Sequence, residues 1–239
     1  MKVDYVIHSS DTNPYYLDFW PVVSKLWKLK VGVTPVLFVI CDEDTDFIQD
    51  DYGLVKKIKA VDGISKPLQS QIARWFGTRY FPDHSCLISD IDMLPLQRDF
   101  FTREFEDNSL VIFSADAYPQ DLKYPMCYNL TSGKNFIDIL DLPVDFKDFA
   151  VKMNSFGWGW NTDERYFYES VQKWAGKKIL MNRGWQYGMA INRLDRVAWR
   201  YNPQDIIDGK YIDCHSLRPY GQFKHEVDKI ANLVLNGNT

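Results

Sequence analysis

Ser89-Asp90-Ile91-Asp92 stands directly behind the short apolar run Cys86-Leu87-Ile88 and ahead of Met93-Leu94-Pro95. A strand that ends in two carboxylates two residues apart puts hard oxygen ligands at a sheet rim, the donor type that holds divalent cations and, through them, phosphates. If the strand continues, Asp90 and Asp92 share side-chain parity and one ion can serve both. A solvated strand end is the competing reading of the same residues.

A second acidic group opens a helix. Asn161-Thr162-Asp163-Glu164 precedes an apolar stripe of Phe167, Val171 and Trp174. With Asn161 as N-cap, Glu164 occupies the third helical position and can reach back in a capping box. Asp163, four residues before Phe167, projects from the inward side of the first turn, where the helix dipole favours its ionised form. There it can act as general base toward a hydroxyl, or simply complement the dipole. Just upstream, Phe156-Gly157-Trp158-Gly159-Trp160 offers flat indole faces of the kind that stack on sugar rings, with burial in the core as the rival fate of Trp158 and Trp160. His215, late in the chain, can return over the sheet edge and complete a metal site begun by the Asp pair, or remain a hydrogen-bonded surface histidine. Lys66, Arg74 and Arg218 are the cations best placed for phosphates, with helix-face ion pairs as their alternative.

These side chains need elements to position them. Val3 to Ile7 and Val36 to Ile40 read as strands around a helix expected over Tyr15 to Leu29, which Asp11-Thr12-Asn13-Pro14 would start. A first strand ending at His8-Ser9-Ser10 and a second ending at Cys41-Asp42-Glu43-Asp44 bring polar tips to one sheet edge. A helix over Pro67 to Tyr80 buries Leu68, Ile72, Trp75 and Phe76 and leaves Gln71, Arg74 and Thr78 off that stripe. Leu110 to Phe113 and Met126 to Leu130 read as strands, and a helix follows Gly133 through Leu140. The sum is an α/β architecture, a mixed and mainly parallel sheet flanked by helices, in one domain over residues 1–239.

Composition narrows the function classes. The 239 residues carry a net charge of -4 and are 46% hydrophobic, enough for a substantial core and without a basic stripe for nucleic acid. No apolar run approaches the about 20 residues of a membrane span, and the opening Met1 to Ile7 lacks a signal peptide's apolar stretch, so a soluble, cytoplasmic protein is expected. Four widely separated cysteines in apolar surroundings suggest buried thiols.

Taken in this order, the residues resemble the GT-A glycosyltransferases, which transfer a sugar from a nucleotide-diphosphate donor with a divalent ion. The Val3 to Ser9 opening, Gln71-Ile72-Ala73-Arg74, Leu87 to Pro95 and His215 carry the resemblance. It implies Mn²⁺ or Mg²⁺ held by Asp90, Asp92 and His215. It also implies donor contacts from His8, Ser9, Lys66, Arg74, Asp90, Arg218 and Asn129, the last in Tyr128-Asn129-Leu130-Thr131-Ser132-Gly133, which is similar to donor-lining segments of that family. The Phe156 to Glu164 segment is similar to the Trp-Gly, acid-ended segment of inverting β-galactosyltransferases. This implies Asp163 as catalytic base and acceptor contacts from Trp158, Trp160 and Asp116, although Trp160-Asn161-Thr162 departs from that pattern. A nucleotide-binding half over about 1–100 and an acceptor-binding half over about 101–239 follow. The donor would be a UDP-sugar and the acceptor a glycan, glycoprotein or polysaccharide. The chain is also similar to small soluble glycosyltransferases of bacteria and of large DNA viruses of algae; a virus-encoded member would work in host cytoplasm. A nucleotidyltransferase or a non-catalytic carbohydrate-binding module are the alternatives, and inversion against retention stays open.

Overall fold

The computed structural model of the chain describes residues 1–42, 50–186 and 188–237. Glu43 and Asp44 of the expected acidic strand tip lie outside these residues. The strands are β1 (Tyr5–Asp11), β2 (Thr34–Cys41), β3 (Leu54–Lys59), β4 (Ser85–Ile88), β5 (Met93–Pro95), β6 (Leu110–Ile112), β7 (Asn129–Ser132), β8 (Lys178–Leu180), β9 (Trp185–Gln186), β10 (Met189–Ala190), β11 (Arg193–Asp195) and β12 (Asp213–His215). Among the described residues the main sheet has seven strands in the order β3-β2-β1-β4-β7-β6-β8, all parallel except β7, which runs against both neighbours. This is the mixed, mainly parallel α/β sheet the sequence leads one to expect.

The central strands are apolar on both faces because both faces are covered. Val6, Leu37, Val39 and Leu87 point into one core cluster with Trp20, Trp27 and Val227, while Ile7, Val36, Phe38 and Ile88 point into the other with Ile72, Trp75, Phe136 and Phe167. All four cysteines are buried thiols.

The helix expected over Tyr15 to Leu29 is divided. Asn13 caps a first turn, Pro14–Leu17, through its side chain, as the start signal suggests. A second helix, Trp20–Leu26, has Pro21 in its opening turn. The proline ring would clash with the carbonyl four residues back, so an uninterrupted helix cannot pass through it. A five-residue π-turn, Trp27–Val31, closes on Gly32 in the left-handed region at φ 83°. The expected helix from Pro67 is a helix over Lys66–Phe76 followed by a 3₁₀ turn, Gly77–Tyr80.

A second, three-stranded sheet decides the site. β12 pairs parallel to β11 and antiparallel to β5, with His215 opposite both Asp195 and Met93. Since β5 follows Asp92 directly, this register delivers the late histidine to the acidic turn.

The helix Gly133–Leu140 starts where a side chain has no room. A Cβ on Gly133 would stand 2.3 Å from the Phe81 carbonyl oxygen and 2.6 Å from that of Thr78, both backbone atoms. Gly133→Ala should destabilise the chain by about 1–3 kcal/mol, read as a lower urea midpoint at unchanged slope. An unshifted midpoint would mean that the backbone there yields freely.

Candidate active site

The sheet order places β1 between β2 and β4, so the chain reverses direction across the sheet between β1 and β4, the kind of crevice where α/β sheets bind ligands. A cleft of about 290 Å³ opens there. The β1 tip (Ser9, Ser10, Asp11) and the turn after β4 form its floor, and Tyr16, Gln71, Arg74, Tyr118, Trp160, Asp163, Glu164, Arg196, His215 and Arg218 stand around it. Ser9 Oγ donates to the Ser70 carbonyl, tying the β1 tip to the helix Lys66–Phe76.

The parity expected of the Asp pair does not hold. β4 ends at Ile88, the Ser89 N–H makes a last bond to the Ile7 carbonyl (3.1 Å), and a turn closed by the Met93 N–H on the Asp90 carbonyl (3.3 Å) redirects the chain into β5. Asp90 and Asp92 therefore meet different partners. Asp90 pairs with Arg74. Asp92 accepts from Arg196 Nη1 at 2.7 Å and lies 3.5 Å from Arg218 Nη1 and 3.6 Å from His215 Nε2. Burial resists the Asp92 charge, but His215, Arg196 and Arg218 outweigh it and hold the carboxyl well below its ordinary range. For His215 burial opposes the proton, while hydrogen bonds to Asp195 and Asp92 prevail and raise its pKa.

Asp92 and His215 are donor types that hard divalent cations accept. His215 Nε2 faces Asp92 Oδ2, which Arg196 already holds, and Asp195 Oδ2, 3.2 Å from His215 Nδ1, fixes the orientation of the ring. Asp90 faces Arg74 instead, and among the described residues no three His, Cys, Asp or Glu side chains stand at ligating geometry.

Arg74 joins two walls of the cleft. It lies off the Leu68 stripe, as expected, yet it is buried, because its guanidinium spans Asp90 and Asp163 Oδ2, the latter at 2.5 Å. Burial penalises the guanidinium charge, but the two carboxylates more than compensate and its pKa lies above the ordinary value. Asp163 Oδ1 accepts the Glu164 N–H at 2.9 Å, so both oxygens are engaged. Burial raises the Asp163 pKa, with Arg74 opposing.

The expected capping box is absent. Asn161 does flank the helix Thr162–Lys173, but its side chain makes no cap bond and instead accepts from Lys123 Nζ at 3.4 Å. Glu164 does not reach back; its carboxylate lies 3.5 Å from the same ammonium. Lys123 competes for both members of the box, which the local pattern could not register. Burial, then the Asp163 charge, push Glu164 up to about 7 against the pull of Lys123.

Other expected donor and acceptor residues stand apart from the cleft lining. His8 is fully buried on β1, with its ring 5.9 Å from that of Trp20 and 6.3 Å from that of Trp27. Asn129 is buried and donates to the Pro125 and Met126 carbonyls at 2.9 and 3.1 Å. Lys66 pairs with Asp42 at 3.2 Å. Asp116 accepts from the Arg183 and Gly184 N–H groups at 3.0 and 2.8 Å, tethering a loop. Trp158 stacks on Phe156 at 4.5 Å, whereas Trp160 is 63% exposed at the cleft mouth and its carbonyl accepts from Gln71 at 3.0 Å. The structure brings Ser9, Arg74, Asp90, Asp92, Trp160, Asp163, His215 and Arg218 together. Sequence reasoning missed Arg196, Asp195 and Tyr118 and gave Glu164 a capping role. The compact Arg193-Leu194-Asp195-Arg196 cluster was the available signal for the first two.

No family model and no curated protein matches the chain. Among solved structures, it is similar to the glycosyltransferase GlyE of Streptococcus pneumoniae TIGR4, at 14% identity and TM-score 0.52 over 99% of this chain. The apo form of GlyE aligns with TM-score 0.53 at the same identity. The chain spans 63% and 62% of those two chains, and the likeness is one of fold.

Two outcomes follow from the buried charges. Arg74→Leu leaves Asp163 buried without its cation and should cost about 3–5 kcal/mol; adding Asp163→Asn should restore part of that. Urea unfolding of the two single variants and the double variant measures the coupling, and strictly additive losses would show that the pair is not linked. Burial lowers the His8 pKa to about 3, partly opposed by Asp90. The unfolded chain thus takes up a proton that the folded chain refuses, and stability present above about pH 6.5 falls as pH drops toward 3, by at most about 1.4 kcal/mol per unit. His8→Gln should flatten that slope in urea titrations between about pH 7.5 and about pH 5.

Proposed function

We propose that the chain is a metal-dependent glycosyltransferase that moves a sugar from a nucleotide-diphosphate donor, with UDP as the expected nucleotide, to a hydroxyl of a glycan, glycoprotein or polysaccharide. The observation that carries the reading is the meeting of Asp92, His215, Arg196 and Arg218 at the crevice between β1 and β4. Asp92 and His215 would hold Mn²⁺ or Mg²⁺, with Asp90 near them, and the ion would supply positive charge against a departing diphosphate. Arg196 and Arg218 add fixed cations beside it, the arrangement that stabilises charge developing on a leaving phosphate.

The other wall serves the acceptor. Trp160 offers an exposed indole face for a sugar ring, and the acid pair Asp163 and Glu164 lies beside it at the start of the helix Thr162–Lys173. Tyr16, whose hydroxyl accepts from Arg218 Nη1 at 3.0 Å, and the β1 tip are left to the nucleoside.

A thermal-shift panel of UDP, GDP, dTDP and CMP, each with Mn²⁺ and with EDTA, tests the proposal. One diphosphate should raise the melting temperature in Mn²⁺ and lose most of that shift in EDTA and in Asp92→Ala. Equal shifts in EDTA would remove the metal, and stabilisation by glycans without any nucleotide would favour a carbohydrate-binding module.

A further inference from the structure

Among the described residues five carboxylates line the cleft, and four are already committed. Asp11 holds the Asn13 N–H at 3.0 Å, Asp90 faces Arg74, and Asp92 accepts from Arg196 at 2.7 Å. Asp163 is engaged at both oxygens, by Arg74 and by the Glu164 N–H, and its side chain is 3% exposed. A proton taken up at either oxygen of Asp163 would compete with a contact already made there, by the Arg74 guanidinium or by the Glu164 N–H. Glu164 differs. Its side chain is 18% exposed, it borders the cleft, and its charged neighbour Lys123 stays at 3.5 Å.

We infer that, granting the transferase reading above, Glu164 is the catalytic base that takes the acceptor hydroxyl proton, while Asp163 with Arg74 is a positioning residue. The acceptor oxygen forms a bond to the anomeric carbon as the bond from that carbon to the diphosphate breaks, its electron pair leaving with the diphosphate. The hydroxyl proton passes to the Glu164 carboxylate and then to solvent at the open side of the cleft. Among the described residues the groups that act on Glu164 are Asp163 from its own helix, Tyr118 and Lys123 from the segment before β7, and Asp90 from the turn after β4. Burial and the two aspartates raise its proton affinity and Lys123 lowers it, leaving a base near neutrality, where general bases are most effective.

Release of nucleoside diphosphate from UDP-glucose, UDP-galactose, GDP-mannose and dTDP-glucose, with water as acceptor, reads the step. Glu164→Gln should lower kcat by about 10²–10⁴-fold with KM little changed and erase an acidic limb near pH 7, and Glu164→Asp should restore part of the rate. Asp163→Asn should keep the limb but move it to lower pH, because a neighbouring negative charge is gone; a merely structural role would leave it in place. Loss of the limb in Asp163→Asn with its survival in Glu164→Gln overturns the assignment. A carbon-13 NMR titration of glutamate carboxyls is independent of turnover. One resonance should titrate near 7 and be missing from Glu164→Gln. If the missing resonance titrates in the ordinary glutamate range, the inference falls while the transferase reading stands. If it titrates near 7 but no donor is cleaved, the transferase reading fails and takes the inference with it.

Discussion

The guanidinium of Arg74 is the tie on which the cleft depends. It bridges a turn carrying Asp90 and a helix carrying Asp163, residues 16 positions downstream of it and 89 positions downstream, and it is buried while doing so. The Asp163 side chain is buried as deeply as the arginine's, and the guanidinium could not be buried without carboxylates to match it. The planar fork of the guanidinium is what allows one cation to serve two carboxylates, a geometry a lysine ammonium does not reproduce. The two walls of the crevice therefore hold their separation because one charge is shared between them.

Around that tie the acids divide into two environments. Asp92 sits among Arg196, Arg218 and His215, and its charge is secured despite burial. Glu164 sits against Asp163 with a more distant ammonium, and its charge is discouraged. Carboxylates pushed in opposite directions within one cleft suit the opposite tasks that the proposed reaction gives them, one bearing fixed charge and the other exchanging a proton. The indole of Trp160 stands on the side of the exchangeable acid, which gives the cleft a direction from nucleotide to acceptor in the proposed reaction.

Much of this was legible along the chain. The apolar runs gave strands because burial on both faces leaves no alternation to misread, and Asn13-Pro14 marked a helix start through local capping and the fixed proline φ. The candidates Asp90, Asp92, Asp163, Arg74, Trp160 and His215 were chosen for chemistry that residue type alone supplies, and they share one cleft. The long first helix was misjudged because Pro21 acts on the carbonyl four residues back, and the capping box because Lys123 arrives from elsewhere. His8 and Asn129, donor contacts on the resemblance, are fully buried and stand outside the cleft lining.

The amino-acid sequence by itself determined the α/β layering, the positions of most strands and the kinds of side chain that crowd the acidic turn, since these follow from short-range periodicity and from the chemistry each residue carries. Only the tertiary structure decided which acid meets which cation. The register of β5 against β12 sets His215 beside Asp92, and the packing of two helices directs Arg74 onto Asp163 and turns Glu164 toward Lys123. The physical reason is that charge pairing depends on distances of a few ångströms between segments far apart in the chain, and those distances exist only once the sheets have formed and the core has closed.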